Sequence, residues 1–142
     1  MGVGVIDALT PEEQAAARYD TAMLQVIVSL VTGMRRGGLL LDVLPERIAD
    51  AQWRGEAIAE FGSWRRALET LPVEVPPGYG GVHARLLRWT GAVGRAGDAY
   101  AAAIAVRSAS QLQWAHRQVR ELPVLYAAME EALRRLAEAD PE

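Results

Sequence analysis

The sequence predicts an all-α fold, an antiparallel four-helix bundle with long helices. Three observations carry this. Leu112, Ala115, Val119, Leu122, Tyr126, Met129, Leu133 and Leu136 recur at intervals of 3, 4, 3, 4, 3, 4 and 3, which keeps one apolar seam along one side of a helix. Alanine, the strongest helix former and small enough to let helices approach, supplies 25 of the 142 residues. Strand patterning is confined to Val73-Glu74-Val75, too short for a sheet. A chain of this length fits one domain, residues 1–142, and buries roughly 70% of the surface its unfolded form exposes.

Thr10-Pro11-Glu12-Glu13 opens the first helix, with Thr10 as cap, Pro11 at the first helical position and Glu13 closing a capping box. This helix is expected over 11–36, with Tyr19, Met23, Val26, Leu30 and Met34 as its seam. Leu24, Ile27, Val28 and Val31 widen the apolar surface almost all round, the pattern of a helix that is buried or covered by a partner chain. Gly37-Gly38 is read as its end. After an apolar connector, a second helix is expected over 45–71, with Trp53, Ala57, Phe61, Trp64, Leu68 and Leu71 as its seam. Asp50 and Arg54 stand one turn apart, placed for an ion pair.

Prolines 72, 76 and 77 and glycines 78, 80 and 81 make the clearest break, a turn region at 72–80. A third helix is expected over 81–107, with Leu86, Trp89, Val93, Ala96, Tyr100 and Ile104 as seam. Gly91, Gly94 and Gly97 each cost it about 1 kcal/mol against Ala, to be offset by close approach of another backbone or a Trp ring. Two overlapping Ser-x-x-Gln patterns, from Ser108 and Ser110, can cap a fourth helix over 111–139. The seam passes Pro123 in register, so one kinked helix is expected there. Glu130–Arg134 and Glu131–Arg135 have the favoured order for helix pairs, and the acidic end Glu138–Glu142 is expected to fray. Short loops favour up-down-up-down order. The rival topology merges the third and fourth helices into a rod of about sixty residues, which only an oligomer would cover.

All fifteen basic residues are Arg, with no Lys and no Asn. Coding bias of a GC-rich genome explains this most simply; thermal adaptation and phosphate recognition are the alternatives. The absence of Cys excludes disulfides and thiolate chemistry. The net charge of −3 argues against a general nucleic-acid binder. It is uneven: over 75–120, Arg85, Arg88, Arg95, Arg107, Arg117 and Arg120 stand against Asp98 alone. Either the charges are balanced internally or solvated, or this half presents a basic face to an anionic partner. Met1–Leu9 carry no Arg and no long apolar core, unlike a secretory signal, so a cytoplasmic location is expected. The apolar stretch Ala22–Met34 is too short to span a bilayer.

No catalytic set emerges. Three residues before His83 and His116 stand Gly80 and Gln113, so neither histidine makes the Glu-x-x-His motif of di-iron bundles. Glu56 and Glu60 share a helix face and are read as solvated. No metal, cofactor or catalytic residue is expected. Trp114 lies off the seam beside His116 and Arg117, and with Arg117 and Arg120 it is the candidate rim of an interface. Gly91, Gly94 and Gly97 facing Trp53 or Trp64 could leave an aromatic-lined cavity for a small molecule.

Trp53-Arg54-Gly55, with Ala57 and Phe61 beyond it, resembles the Trp-x-Gly element of the WXG family of small secreted helical hairpins. Tyr126-x-x-x-Glu130 is similar to the family's Tyr-x-x-x-Asp/Glu export signal. The resemblance implies export by a leaderless route as a helical dimer, with no catalytic activity and with Trp-x-Gly at the turn between helices. Pro76-Pro77, His83, Ala99 and Ala103 are also similar to the pattern of helical-bundle domains to which no activity is assigned. The function expected is therefore a non-enzymatic interaction or structural protein acting through a helical surface, self-associating or binding a protein partner. A small-molecule-binding bundle and a WXG-type secreted effector are the alternatives.

Overall fold

The computed structural model describes residues 9–72 and 74–139. The leader reading of Met1–Leu9 and the expected fraying of Glu138–Glu142 fall mostly outside those residues; Glu138 and Ala139 are helical. Glu74 and Val75 form no strand, and Val73 lies outside the described residues. Among the described residues the chain is all-helical, with five α-helices of at least twelve residues where the sequence reading has four.

Helix α1 is Pro11–Asp42. Its capping box forms as expected: Glu13 N donates to Thr10 Oγ1 at 3.1 Å, and Thr10 N donates to Glu13 Oε1 at 3.0 Å. The helix does not stop at Gly37-Gly38. Gly33 and Gly37 continue the buried line of Tyr19, Met23, Val26 and Leu30 at the same spacing. A Cβ on Gly37 would lie 2.6 Å from Trp64 Cζ2 and 2.8 Å from Phe61 Cε1. The glycine is there to admit two rings. The helix ends at Asp42 instead, where Pro45 brings no N–H for the next bond of the ladder.

The expected second helix is three pieces: one-turn α2 (Leu44–Arg47), α3 (Ala51–Gly62) and a 3-10 segment, Ser63–Thr70. Asp50 caps α3 by accepting from Gln52 N at 3.0 Å, and Arg54 donates to the Ile48 carbonyl at 2.7 Å, so the expected Asp50–Arg54 pair is replaced by two backbone contacts. Ser63 Oγ donates to the Glu60 carbonyl at 2.6 Å, the local competition that tightens a helix end. A period of three then turns Trp64 and Ala67 inward. Leu68, a seam residue at α-helical spacing, is left 41% exposed.

Tyr79 N donates to the Pro76 carbonyl at 3.1 Å, and Gly78 takes φ 87°, the turn that Pro-Gly at its two central positions encodes. Helix α4 (Gly80–Val106) follows, with every expected seam residue from Leu86 to Ile104 buried. Arg107 closes it in the left-handed region, φ 53°, and Ser108 N donates to Ala103 O at 3.1 Å. That reversal excludes the sixty-residue rod. Ser108 caps α5 (Ala109–Arg120), accepting from Gln111 N at 3.2 Å.

The expected single fourth helix is divided at Glu121, and α6 is Leu122–Ala139. Pro123 falls in the first turn of α6 and has no N–H to carry the ladder across, and Glu121 N donates three residues back, to Gln118 O. The seam survives the break. Ala115, Leu122 and Met129 are buried, and Leu112, Val119, Tyr126, Leu133 and Leu136 pack against the core.

Helix α4 is the element around which α3, the 3-10 segment, α5 and α6 pack. Along α3 and the 3-10 segment, Phe61 meets Gly97 and Arg65 meets Gly94; along α5 and α6, His116 meets Tyr100 and Tyr126 meets Trp89. Helix α1 lies at the periphery, held by α3 and the 3-10 segment.

Candidate interaction surface

The interior holds its titratable groups in pairs. The Tyr19 hydroxyl lies 2.8 Å from His83 Nδ1, and the Tyr100 hydroxyl 2.6 Å from His116 Nδ1. Burial pushes both phenols up to about 12, with the Asp20 charge adding to the effect at Tyr19, so both stay protonated at neutral pH. Each half-buried histidine is thereby engaged by one tyrosine. Glu60 pairs with Arg36 at 2.9 Å, and Glu56 points elsewhere, toward Gln52. Among the described residues no group of three His, Cys, Asp or Glu side chains could hold a metal ion.

Trp53, Trp64, Gly91, Gly94 and Gly97 do not converge on an open space. A Cβ on Gly97 would meet the Phe61 carbonyl oxygen at 2.3 Å and Trp64 Cβ at 3.0 Å; one on Gly94 would meet Arg65 Cα at 3.1 Å. Gly91 faces only the Arg95 guanidinium. Trp53 and Trp64 are buried, with indole N–H groups that donate to no acceptor among the described residues. The two glycines serve close helix approach, as their cost required. Of the five residues, Trp64 alone lines an open hollow, of about 240 Å³ with Leu30 and Gly33; a groove of about 790 Å³ lies between the N-terminal turns of α1, Tyr79 and α6. Met23, Leu133 and Leu136 floor it, and Glu12, Glu13 and Asp20 edge it.

Trp53-Arg54-Gly55 lies within the opening turns of α3 and makes no corner between helices. Tyr126 lies within α6, its ring 5.0 Å from that of Trp89.

Two surfaces remain. On α5, Trp114 is 50% exposed, and with Arg117 it lines a shallow groove against Ala99 and Ala102 of α4. Arg120 is exposed one turn further on and does not line that groove. Of the six arginines over 75–120, none makes an ion pair among the described residues, and Asp98 is taken by Arg65 at 3.6 Å. The basic half is solvated and not internally balanced.

The second surface is on α1. Leu24, Val28, Val31 and Leu39 are 60%, 55%, 39% and 64% exposed. With Ala17, Thr21 and Arg35 they form a line along the side opposite the buried one, and Ala17, Thr21, Leu24, Val28, Val31 and Arg35 repeat the spacing 4, 3, 4, 3, 4. In the sequence, Leu24, Val28 and Val31 read only as a widening of one stripe, and Leu39 as part of a connector. Counted from Ala17, their own three-and-four spacing marks a second seam. Comparison with known protein families, with curated proteins and with solved structures returns no match.

Proposed function

We propose that the protein is a non-enzymatic helical scaffold that works by protein–protein association, with the outer face of α1 as its main contact surface. Its scaffold is read as four antiparallel layers, α5 and α6 together forming the fourth; the opposite order of contacts along α4 and along its neighbours supports this. The observation that carries the functional reading is that the most apolar eighteen-residue stretch of α1 is only 22% buried. Covering a half-exposed Leu or Val is worth about 1 kcal/mol, so four of them in one line are a strong inducement to association.

Ala22–Met34 alone is too short to cross a membrane, but α1 continues past it to Asp42, and the whole helix is long and apolar enough by length and composition. Its other face argues for a protein partner: Tyr19, Met23, Val26 and Leu30 belong to the core, and insertion would strip them from it. Trp114 and Arg117 supply a second contact, suited to an acidic partner.

The test is a Val28→Glu, Val31→Glu variant compared with the wild type by light scattering and by affinity capture. The wild type is expected to self-associate or to retain a partner that the variant loses, with the variant's helicity and Tm unchanged. A strict monomer whose captured set is the same with and without the substitutions would overturn the reading.

A further inference from the structure

Helix α1 carries two seams on opposite sides. Tyr19, Met23, Val26, Leu30, Gly33 and Gly37 face the core. Ala17, Thr21, Leu24, Val28, Val31 and Arg35 face outward, all exposed, over a length of about 27 Å. A three-and-four repeat of this kind is what one helix presents to another in a paired coil.

Charge along this face divides by half between Glu13 and Arg35, with Asp42 two turns beyond Arg35. Glu13 and Asp20 flank Ala17 at i−4 and i+3, its immediate neighbours on the helix surface. Each carboxylate keeps an oxygen beyond its recorded bond, Glu13 having accepted from Thr10 N and Asp20 from the Tyr79 hydroxyl. The other end of the seam is Arg35, which makes no ion pair among the described residues.

We propose that the outer seam of α1 is covered by the same seam of a second copy of this chain, packed antiparallel about a two-fold axis. Leu24 then faces the partner's Val28, Thr21 faces the partner's Val31, and Ala17 faces the partner's Arg35. Each Arg35 is brought between the partner's Glu13 and the partner's Asp20. Parallel packing would set Arg35 against the partner's Arg35. Because one patch serves both copies, the contact closes at a dimer and does not propagate. The inference rests on the association reading above and names its partner.

The test starts with sedimentation over a wide concentration range, where the full chain is expected to reach twice its 15.4 kDa mass. Val28→Glu is expected to sediment as a monomer with unchanged helicity and Tm, and Arg35→Glu to weaken dimerisation about tenfold. The chain has no cysteine, so single substitutions report cleanly. Thr21→Cys protein mixed with Val31→Cys protein is expected to give an oxidised cross-linked pair, and Thr21→Cys alone to give little. Efficient cross-linking of Thr21→Cys alone means parallel packing and overturns the proposal. So does a monomer at every concentration, including one that binds anionic phosphatidylglycerol vesicles through this face. A monomer that loses a captured protein on Val28→Glu overturns self-pairing and keeps the association reading; one that is wholly unaffected overturns both.

Discussion

Gly97 of α4 sits so close to Phe61 of α3 that a Cβ at position 97 would lie 2.3 Å from the Phe61 carbonyl oxygen. Backbone meets backbone there, and neither side has a flexible end that could yield. The contact fixes how deeply α3 and the 3-10 segment seat against α4, and it places the Trp64 ring against both Gly97 and Gly37.

Gly97 and Gly91 of α4 should therefore respond to alanine with opposite signs. Gly97→Ala gains helix propensity but must push α3 away, and overpacking of a seated contact costs about 1–3 kcal/mol; a net loss of about 2 kcal/mol is expected. Gly91→Ala meets only the mobile end of Arg95 at 3.4 Å and should gain up to about 1 kcal/mol. Urea unfolding of the two variants measures both. Equal effects at the two positions would mean that α4 is not seated as described.

Adjacent glycines on α1 make a sharper contrast. Gly37 faces Trp64 and Phe61, whereas a Cβ on Gly38 would have nothing within 4 Å among the described residues. Gly37→Ala is expected to lower Tm by about 6 °C, a loss of about 2 kcal/mol in a domain of this size. Gly38→Ala should leave Tm unchanged or raise it. A helix stop at this pair would predict similar penalties at both, so thermal melts decide between a stop and a contact.

The seams were legible because burial on one side of a helix writes a period into the chain, and that period crossed even the α5–α6 break. What a glycine does was legible only in part. The cost of Gly94 and Gly97 inside a helix pointed to close approach of a neighbour, but Gly33 and Gly37 also admit a ring, and Gly55, with no neighbour within 4 Å among the described residues, looks the same in the sequence. The 3-10 segment was hidden for a related reason: its tight turn shows itself only by exchanging Leu68 for Ala67 at the core. The outer surface of α1 was half legible. Val28 and Val31 were visible as apolar, but two seams with one spacing do not say which faces in. The Tyr19–His83 pair spans 64 positions and leaves no local trace.

Gly55 also bears on the Trp-x-Gly resemblance. It is exposed inside α3, where alanine removes backbone freedom without meeting a neighbour. Gly55→Ala should stabilise by up to about 1 kcal/mol. A turn that needed glycine would give a loss instead, and equilibrium unfolding reads the sign directly.

Arg107 ends α4 with φ 53°, a conformation that costs an ordinary side chain about 1–2 kcal/mol and glycine almost nothing. Arg107→Gly should therefore stabilise, by about 0.5–1 kcal/mol after the greater freedom of glycine in the unfolded chain is counted. The guanidinium makes no ion pair among the described residues, so little is lost with it. A destabilised variant would place residue 107 outside the left-handed region.

The buried phenols set an alkaline limit. Tyr19 and Tyr100 ordinarily ionise near 10, and burial holds both up to about 12 in the folded chain. Below pH 10 both states carry the proton, so these groups give stability no pH dependence there. Between pH 10 and 12 the unfolded chain releases protons that the folded chain must keep, and stability falls, by up to about 3 kcal/mol for each phenol. The urea midpoint should hold steady up to pH 10 and then drop, and phenolate absorbance should show Tyr19 and Tyr100 ionising as the chain unfolds. Tyr100→Phe should flatten the drop, although the chain is less stable at neutral pH once His116 has lost its partner. A midpoint that stays level to pH 12, or tyrosines that all ionise near 10 in a chain still folded, would show that these two rings are open to water.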